Sequence, residues 1–312
     1  MKYLILVFAF QFITLPCFSQ KQRDYLTYHR YINRAEVCLT ENKIDSSIAY
    51  YDRAFQEFDF AFVKDAYIAA QVAYKASDWA RLKQYLAKGA RYGLTVDCLD
   101  ESPILVKIKS LYSYKGIADT MQACNRLFRR NDSLAAEWKE RFEKEQRTKN
   151  ISFDQYKQVV LDNVARIKTL LQTTGFPGER MLGISGNCTE LGNYHAFYTL
   201  AHYDFAATEF FDKLWKAVKQ GELHPRDFAT LCEFESLRMR SVPPAYKIFS
   251  PSFKQTPKQL LFNHAWLKDT TASAIAKAAI NRAKYSLCSE QTDRKKRLLE
   301  MTEGYRFTFN YK

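Results

Sequence analysis

The sequence predicts an all-α protein, with helical hairpins in its first half and a helical domain in its second. Three observations lead there. The chain holds only 10 Gly and 8 Pro against 20 Tyr and 23 Phe, so backbone breakers are scarce and bulky side chains abundant. Apolar residues recur at helical spacing over long stretches, as in Tyr156, Val160, Val164, Ile167 and Leu171. Residues 25–92 also read as two copies of one helix-turn-helix unit.

The first 19 residues stand apart from that pattern. Met1-Lys2-Tyr3 supplies a positive charge, residues 4–12 form an apolar run broken only by Gln11, and residues 15–19 end in a small-residue exit. That is the layout of a secretory signal peptide, so cleavage is expected after Ser19, with the mature chain starting near Gln20 and working in the periplasm or outside the cell. The alternative is a lipoprotein signal acylated at Cys17, although Leu15-Pro16 are larger than the residues such signals place before the cysteine. No later run approaches the roughly 20 apolar residues a membrane span needs, so no integral segment is expected.

Residues 20–131 read as an array of hairpins. One helix over 25–40 turns at Glu41-Asn42-Lys43 into a second over 44–58. A third helix over 64–75 turns at Ala76-Ser77-Asp78 into a fourth over 79–92, where Gly93 suits a C-cap. A shift of 35 residues superposes Ala35 on Ala70, Ile44 on Trp79, Tyr50 on Tyr85 and Ala54 on Gly89. Small residues at matched positions let two backbones cross closely, while Tyr, Ile and Trp fill the space beside the crossing. A third hairpin is expected over 101–112 and 117–130, because two units rarely support themselves.

This period resembles the tetratricopeptide repeat, and residues 44–54, Ile-Asp-Ser-Ser-Ile-Ala-Tyr-Tyr-Asp-Arg-Ala, are similar to the second helix of such a unit. Arg34 at a usually apolar position and the absence of a closing proline depart from the family pattern. The resemblance implies a stacked array whose concave face binds peptides. First helices line that face, which makes Tyr28, Tyr31, Tyr67 and Tyr74 the candidate groove residues.

A charged connector helix follows over 132–150, with Leu134, Trp138 and Phe142 as its apolar stripe. Residues 151–312 form the second helical domain. Its helices are expected over 153–173, 194–203, 207–220, 225–239, 272–288 and 290–302, with a Pro-rich loop over 241–257 and a strand-like alternation over 305–311. Gly175-Phe176-Pro177, Ala201-His202, the phrase over 221–231 and Asn281-Arg282-Ala283 resemble a family of uncharacterised helical domains in secreted bacterial proteins. That family continues with an acidic-arginine pair and a Tyr-Gly turn. This chain has Glu233-Phe234 and Tyr246-Lys247 instead, so any site those residues build is altered here.

The formal charge of +13 is spread along the chain, with 23 basic and 18 acidic residues over 20–150 and 23 and 16 over 151–312. Nucleic-acid binders concentrate such charge on one stripe, and no nucleic-acid partner is expected. The tight cluster Arg294-Lys295-Lys296-Arg297 reads as a solvated helix face flanked by Asp293 and Glu300. Cys38, Cys98, Cys124, Cys188, Cys232 and Cys288 remain after processing, none in a C-x-x-C pair, and allow 15 disulfide connectivities.

Candidate chemistry gathers around His195, His202, Asp204, Glu209 and His224. His195 and His202 lie two helical turns apart on one face, too far to share an ion, and the expected role of His202 is a hydrogen-bonded core residue. Gly183-Ile184-Ser185-Gly186-Asn187 lacks the strand and final glycine of a nucleophile elbow. Glu233 and Glu235 point to different helix faces, with Arg238 the expected partner of Glu235. The leading expectation is an exported, non-enzymatic protein that binds a protein or peptide in the bacterial envelope, without metal or cofactor. The alternatives are a hydrolase or metal-dependent enzyme using the His195, His202 and His224 region, and a basic adaptor at a membrane surface.

Overall fold

The computed structural model describes residues 24–128, 131–185, 188–189, 191–192, 195–249, 260–262 and 271–307. Among them every regular element is a helix and none is a strand. The leader over 1–19, residues 250–257 of the Pro-rich loop and the last residues of the tail lie outside the described residues.

Helix α1 (Tyr25–Thr40) starts where the Asp24 carboxylate accepts the Leu26 N–H. It folds back through Asn42, at φ 59°, into α2 (Ile44–Glu57). The second hairpin repeats this with α3 (Val63–Lys75), a turn at Ser77 with φ 56°, and α4 (Trp79–Ala90), whose cap is the Asp78 carboxylate on the Arg81 N–H. The matched small residues are buried at both crossings. A Cβ on Gly89 would meet Ala66 Cβ at an ordinary contact distance of 3.6 Å but would lie 2.9 Å from Leu94 Cδ2, so a larger residue there would push the Leu94 side chain aside. Asp52 joins the hairpins, accepting from Tyr85 Oη at 2.7 Å and Arg81 Nε at 2.8 Å.

The expected helix over 101–112 is replaced by two short 3-10 segments, Val96–Glu101 and Leu105–Ser110. Pro103 has no N–H to give, and Ser102 Oγ accepts the Ile104 and Leu105 N–H groups, which fixes a turn where a helix would have to continue. Helix α5 (Tyr114–Arg126) then packs on α4. A disulfide joins Cys98 to Cys188, 90 residues on. Cys38, Cys124, Cys232 and Cys288 are free thiols.

The second half contains α6 (Asp132–Lys149), α7 (Phe153–Thr173), α8 (Glu179–Leu182), α9 (His195–His202), α10 (Ala206–Glu209), α11 (Phe211–Gln220), α12 (Pro225–Ser241), α13 (Ala272–Lys284) and α14 (Glu290–Glu303). The helix expected over 207–220 is broken at Phe210 into α10 and α11. Trp138, Val160, Ile167, Phe197, Leu200 and Phe228 fill the core of this half.

The chain's end returns to its beginning. Helices α11 and α14 pack on α1, and Ile184, Leu191, Tyr305 and Phe307 join the apolar core of the hairpin array. Tyr305–Phe307, expected as the start of a strand, has no strand pairing; the Gln71 side chain accepts the Arg306 N–H at 2.7 Å and donates to its carbonyl at 3.0 Å, and Glu300 accepts the Phe307 N–H at 2.6 Å. No described helix is long and apolar enough to cross a membrane.

Candidate functional site

The seam between the hairpin array and the second half encloses a cleft of about 410 Å³. Each wall follows from helical periodicity. On α1, His29, Ile32, Asn33 and Glu36 recur at three- and four-residue spacing and share one face. The first turns of α3 supply Lys64, Asp65 and Ile68. Across the seam, the start of α12 brings His224, Arg226, Asp227 and Thr230, and α14 brings Asp293, Lys296 and Arg297.

A buried ion network holds the seam. Lys296 Nζ lies 2.7 Å from Glu36 Oε2 and 2.6 Å from Asp293 Oδ1. Arg226 Nη2 reaches the same two carboxylates at 3.6 and 2.9 Å, and Arg282 pairs with Asp293. Burial alone would raise the Asp293 pKa, but Arg226, Lys296 and Arg282 outweigh it and hold the carboxyl well below the usual range. Burial and Arg226 oppose the charge on Lys296, while Glu36 and Asp293 restore it and raise its pKa. Cys288 Sγ donates toward Asn33 Oδ1 at 3.1 Å, and burial pushes its thiol up to about 12, so it is not a thiolate nucleophile at neutral pH.

Beside this network, His29, Asp65 and His224 converge, each less than a tenth exposed. His224 Nε2 is 3.7 Å from Asp65 Oδ1, and the two imidazole centroids are 5.1 Å apart. Burial drives both imidazoles well below their ordinary pKa; the other histidine adds to this at His29, and Lys64 adds to it at His224. Both rings are therefore neutral near pH 7. Burial raises Asp65, against the pull of Lys64. On the nearby α8, Glu179 accepts the Val63 N–H and is pushed by burial up to about 8.

The histidines singled out in the sequence do not meet. His195 stacks on Phe142, with centroids 5.1 Å apart. His202 Nδ1 lies 2.6 Å from Glu145 Oε1, inside a core where Glu145 also accepts from Thr199 at 2.7 Å and Asn163 at 2.9 Å. Its partner is Glu145, on the connector helix, and not Asp204. Asp204 is fully buried and accepts from Arg238 Nε at 2.6 Å and from the Ile248 N–H, so Arg238 serves Asp204 and not Glu235. Glu235 instead accepts the Thr208 N–H at 2.9 Å. Glu209 accepts from Tyr203 Oη at 2.5 Å.

The groove tyrosines divide. Tyr28 and Tyr67 have no exposed surface, so neither can line an open groove: Tyr28 Oη donates to Asp65 Oδ2 at 2.9 Å and Tyr67 Oη to the Cys98 carbonyl at 2.9 Å. Tyr31 and Tyr74 are half-buried, the first with Oη 3.4 Å from Glu57 and the second edge-on to Trp79. Within the basic cluster, Arg294, Lys295 and Arg297 are exposed, but Lys296 turns inward to Glu36, which corrects the reading of the cluster as one solvated face.

His29, Asp65 and Glu36 are not singled out by the sequence, and Lys296 only as part of a solvated cluster, because the four are scattered over 268 residues of chain. A usable signal was present: on α1, His29 and Glu36 share the face of Ile32 and Leu39, and polar groups on an apolar stripe call for a partner. No family model matches the chain, and no curated protein or solved structure is significantly similar to it.

Proposed function

We propose that this protein is an exported, non-enzymatic peptide-binding protein of the bacterial envelope, in which a tetratricopeptide-like array closes against a second helical half. The single observation that carries this reading is the seam cleft. Its volume of about 410 Å³ falls in the range of built ligand sites. Its walls offer fixed charges of both signs from two parts of the chain, which suits a short peptide segment carrying both donors and acceptors. Export is supported by the leader over 1–19 and by the Cys98–Cys188 disulfide, a bond that persists in oxidising compartments.

The test uses mature protein from Gln20 with its disulfide intact, screened by affinity-selection mass spectrometry against a synthetic library of short charged peptides. Thr230 is half-buried on the α12 wall, and Thr230→Trp would fill the cleft from its edge. Selective capture by the wild type, abolished in a Thr230→Trp variant with an unchanged melting midpoint, supports the reading. Capture that survives Thr230→Trp, or no capture by folded wild type, contradicts it.

A further inference from the structure

We propose that His29, Asp65 and His224 form a binding site for one divalent first-row transition-metal ion, with Zn²⁺ as the reference ion. The inference goes beyond the peptide reading and stands or falls independently of it.

Two imidazoles and one carboxylate form the ligand set of mononuclear sites that keep positions open for water or substrate. Here the three come from α1, α3 and the residue before α12, and one ligand atom of each lies within 4.8 Å of the others. All three also line the cleft, which leaves room for further ligands. An ion with bonds of about 2.0–2.1 Å in tetrahedral geometry holds its ligands about 3.3 Å apart, so loading would draw the side chains together by roughly an ångström.

The independent observation is an orphan atom. His29 Nε2 is buried and has no hydrogen-bond partner, although a ring nitrogen so placed ordinarily finds one. A metal ion in the gap shared with Asp65 and His224 would satisfy it.

The surroundings already orient the carboxylate. Tyr28 Oη donates to Asp65 Oδ2 at 2.9 Å and accepts the Phe62 N–H at 3.2 Å, leaving Asp65 Oδ1 as the oxygen that faces His224. This is the outer-shell support that fixes metal-binding carboxylates. Lys64, Arg226 and Lys296 all act on the triad, but each is matched by carboxylates: Asp227 opposes Lys64 at 3.5 Å, and Glu36 and Asp293 pair with Arg226 and Lys296. His224 must rearrange. Its Nδ1 accepts the Arg226 N–H at 3.1 Å, which keeps the ring proton on Nε2. Ligation through Nε2 moves that proton to Nδ1, and the Arg226 N–H turns to water in the cleft. A single helix cap is a small term beside metal ligation.

The experiment strips purified mature protein with EDTA, equilibrates it with Zn²⁺, dialyses, and counts metal by mass spectrometry; a parallel sample takes Co²⁺ for its visible spectrum. About one Zn²⁺ per chain and a Co²⁺ spectrum of low-coordinate nitrogen ligation are expected. His29→Gln should abolish both, Tyr28→Phe should weaken Zn²⁺ binding ~10–100-fold, and His202→Gln should leave it unchanged. Folded wild type that retains less than about a tenth of an equivalent overturns the proposal. So does wild-type affinity in His29→Gln, which would place the ion elsewhere. If His29→Gln fails to fold, Tyr28→Phe and the wild-type Co²⁺ spectrum decide: unchanged affinity in the former, or an octahedral aqueous spectrum in the latter, refutes the site. Peptide capture is scored separately in EDTA, which keeps the two readings distinguishable.

Discussion

Lys296→Met isolates the contact that fastens α14 to α1. The methionine keeps most of the apolar stem and removes only the ammonium, which is 2.7 Å from Glu36 Oε2 and 2.6 Å from Asp293 Oδ1. The Lys296 side chain is 2% exposed and that of Glu36 is 5%, so water cannot replace the lost partner. Removing one member of a buried pair costs about 3–5 kcal/mol. Glu36 keeps Arg226 at 3.6 Å, and Asp293 keeps Arg226 and Arg282, which places the expected loss near the lower end, about 3 kcal/mol. For a chain of this size that corresponds to a fall in melting temperature of roughly 5 °C. The assay is equilibrium urea unfolding at pH 7, with Lys295→Met, its exposed neighbour, as a control expected to stay within about 0.5 kcal/mol of wild type. The Glu36→Gln/Lys296→Met double variant should be non-additive by about 1 kcal/mol or more. A Lys296→Met midpoint equal to that of Lys295→Met would refute the seam network as a source of stability.

Three further outcomes are expected. Replacing Cys98 and Cys188 by serine should cost about 2–5 kcal/mol, visible as a lower melting midpoint that reductant reproduces in wild type; insensitivity to reductant would argue against the bond. Because burial raises Glu179 to about 8, its contribution is fully present below its unfolded pKa, near 4.5, and is lost as pH rises toward 8. Wild type should therefore lose stability relative to Glu179→Gln between pH 5 and 8, at up to about 1.4 kcal/mol per pH unit, and a flat difference in urea melts would count against the buried acid. Ala54→Leu should overpack the α1–α2 crossing and cost about 1–3 kcal/mol, while Ala49→Leu on the exposed face of the same helix should cost much less; equal midpoints would undo the repeat alignment.

Local chemistry was legible where one helix explains itself. The helical spacing of Val160, Val164 and Ile167 marked α7, the turns expected over 41–43 and 76–78 fall where the backbone reverses at Asn42 and Ser77, and Gly93, at φ 110°, stands just past α4. The third hairpin was not legible, because Ser102 and Pro103 act through a turn whose energetic advantage depends on Gln71, a residue of the preceding hairpin. Nor was the site. His224 was singled out as candidate chemistry with His195 and His202, but its neighbours His29 and Asp65 lie 195 and 159 residues earlier, and only the return of the second half onto α1 brings them together. His202 shows the same limit in reverse. Its burial in a polar core was foreseeable, but its partner Glu145 sits on a helix that reads as an exposed connector. Asp52 joins two hairpins through Arg81 and Tyr85, partners that its own helix does not reveal.

The proposed recognition of a peptide at the seam, where helices α1, α3, α12, α13 and α14 meet around one cleft, has a direct test. Hydrogen–deuterium exchange of the mature protein, with and without a peptide selected from the library, tests this most directly. Added protection is expected on residues 29–36, 63–68, 224–230 and 290–297, with the faces of α7 and α13 turned away from the cleft unchanged. Protection that falls instead along α2, α4 and α5, with the seam unaffected, would contradict it.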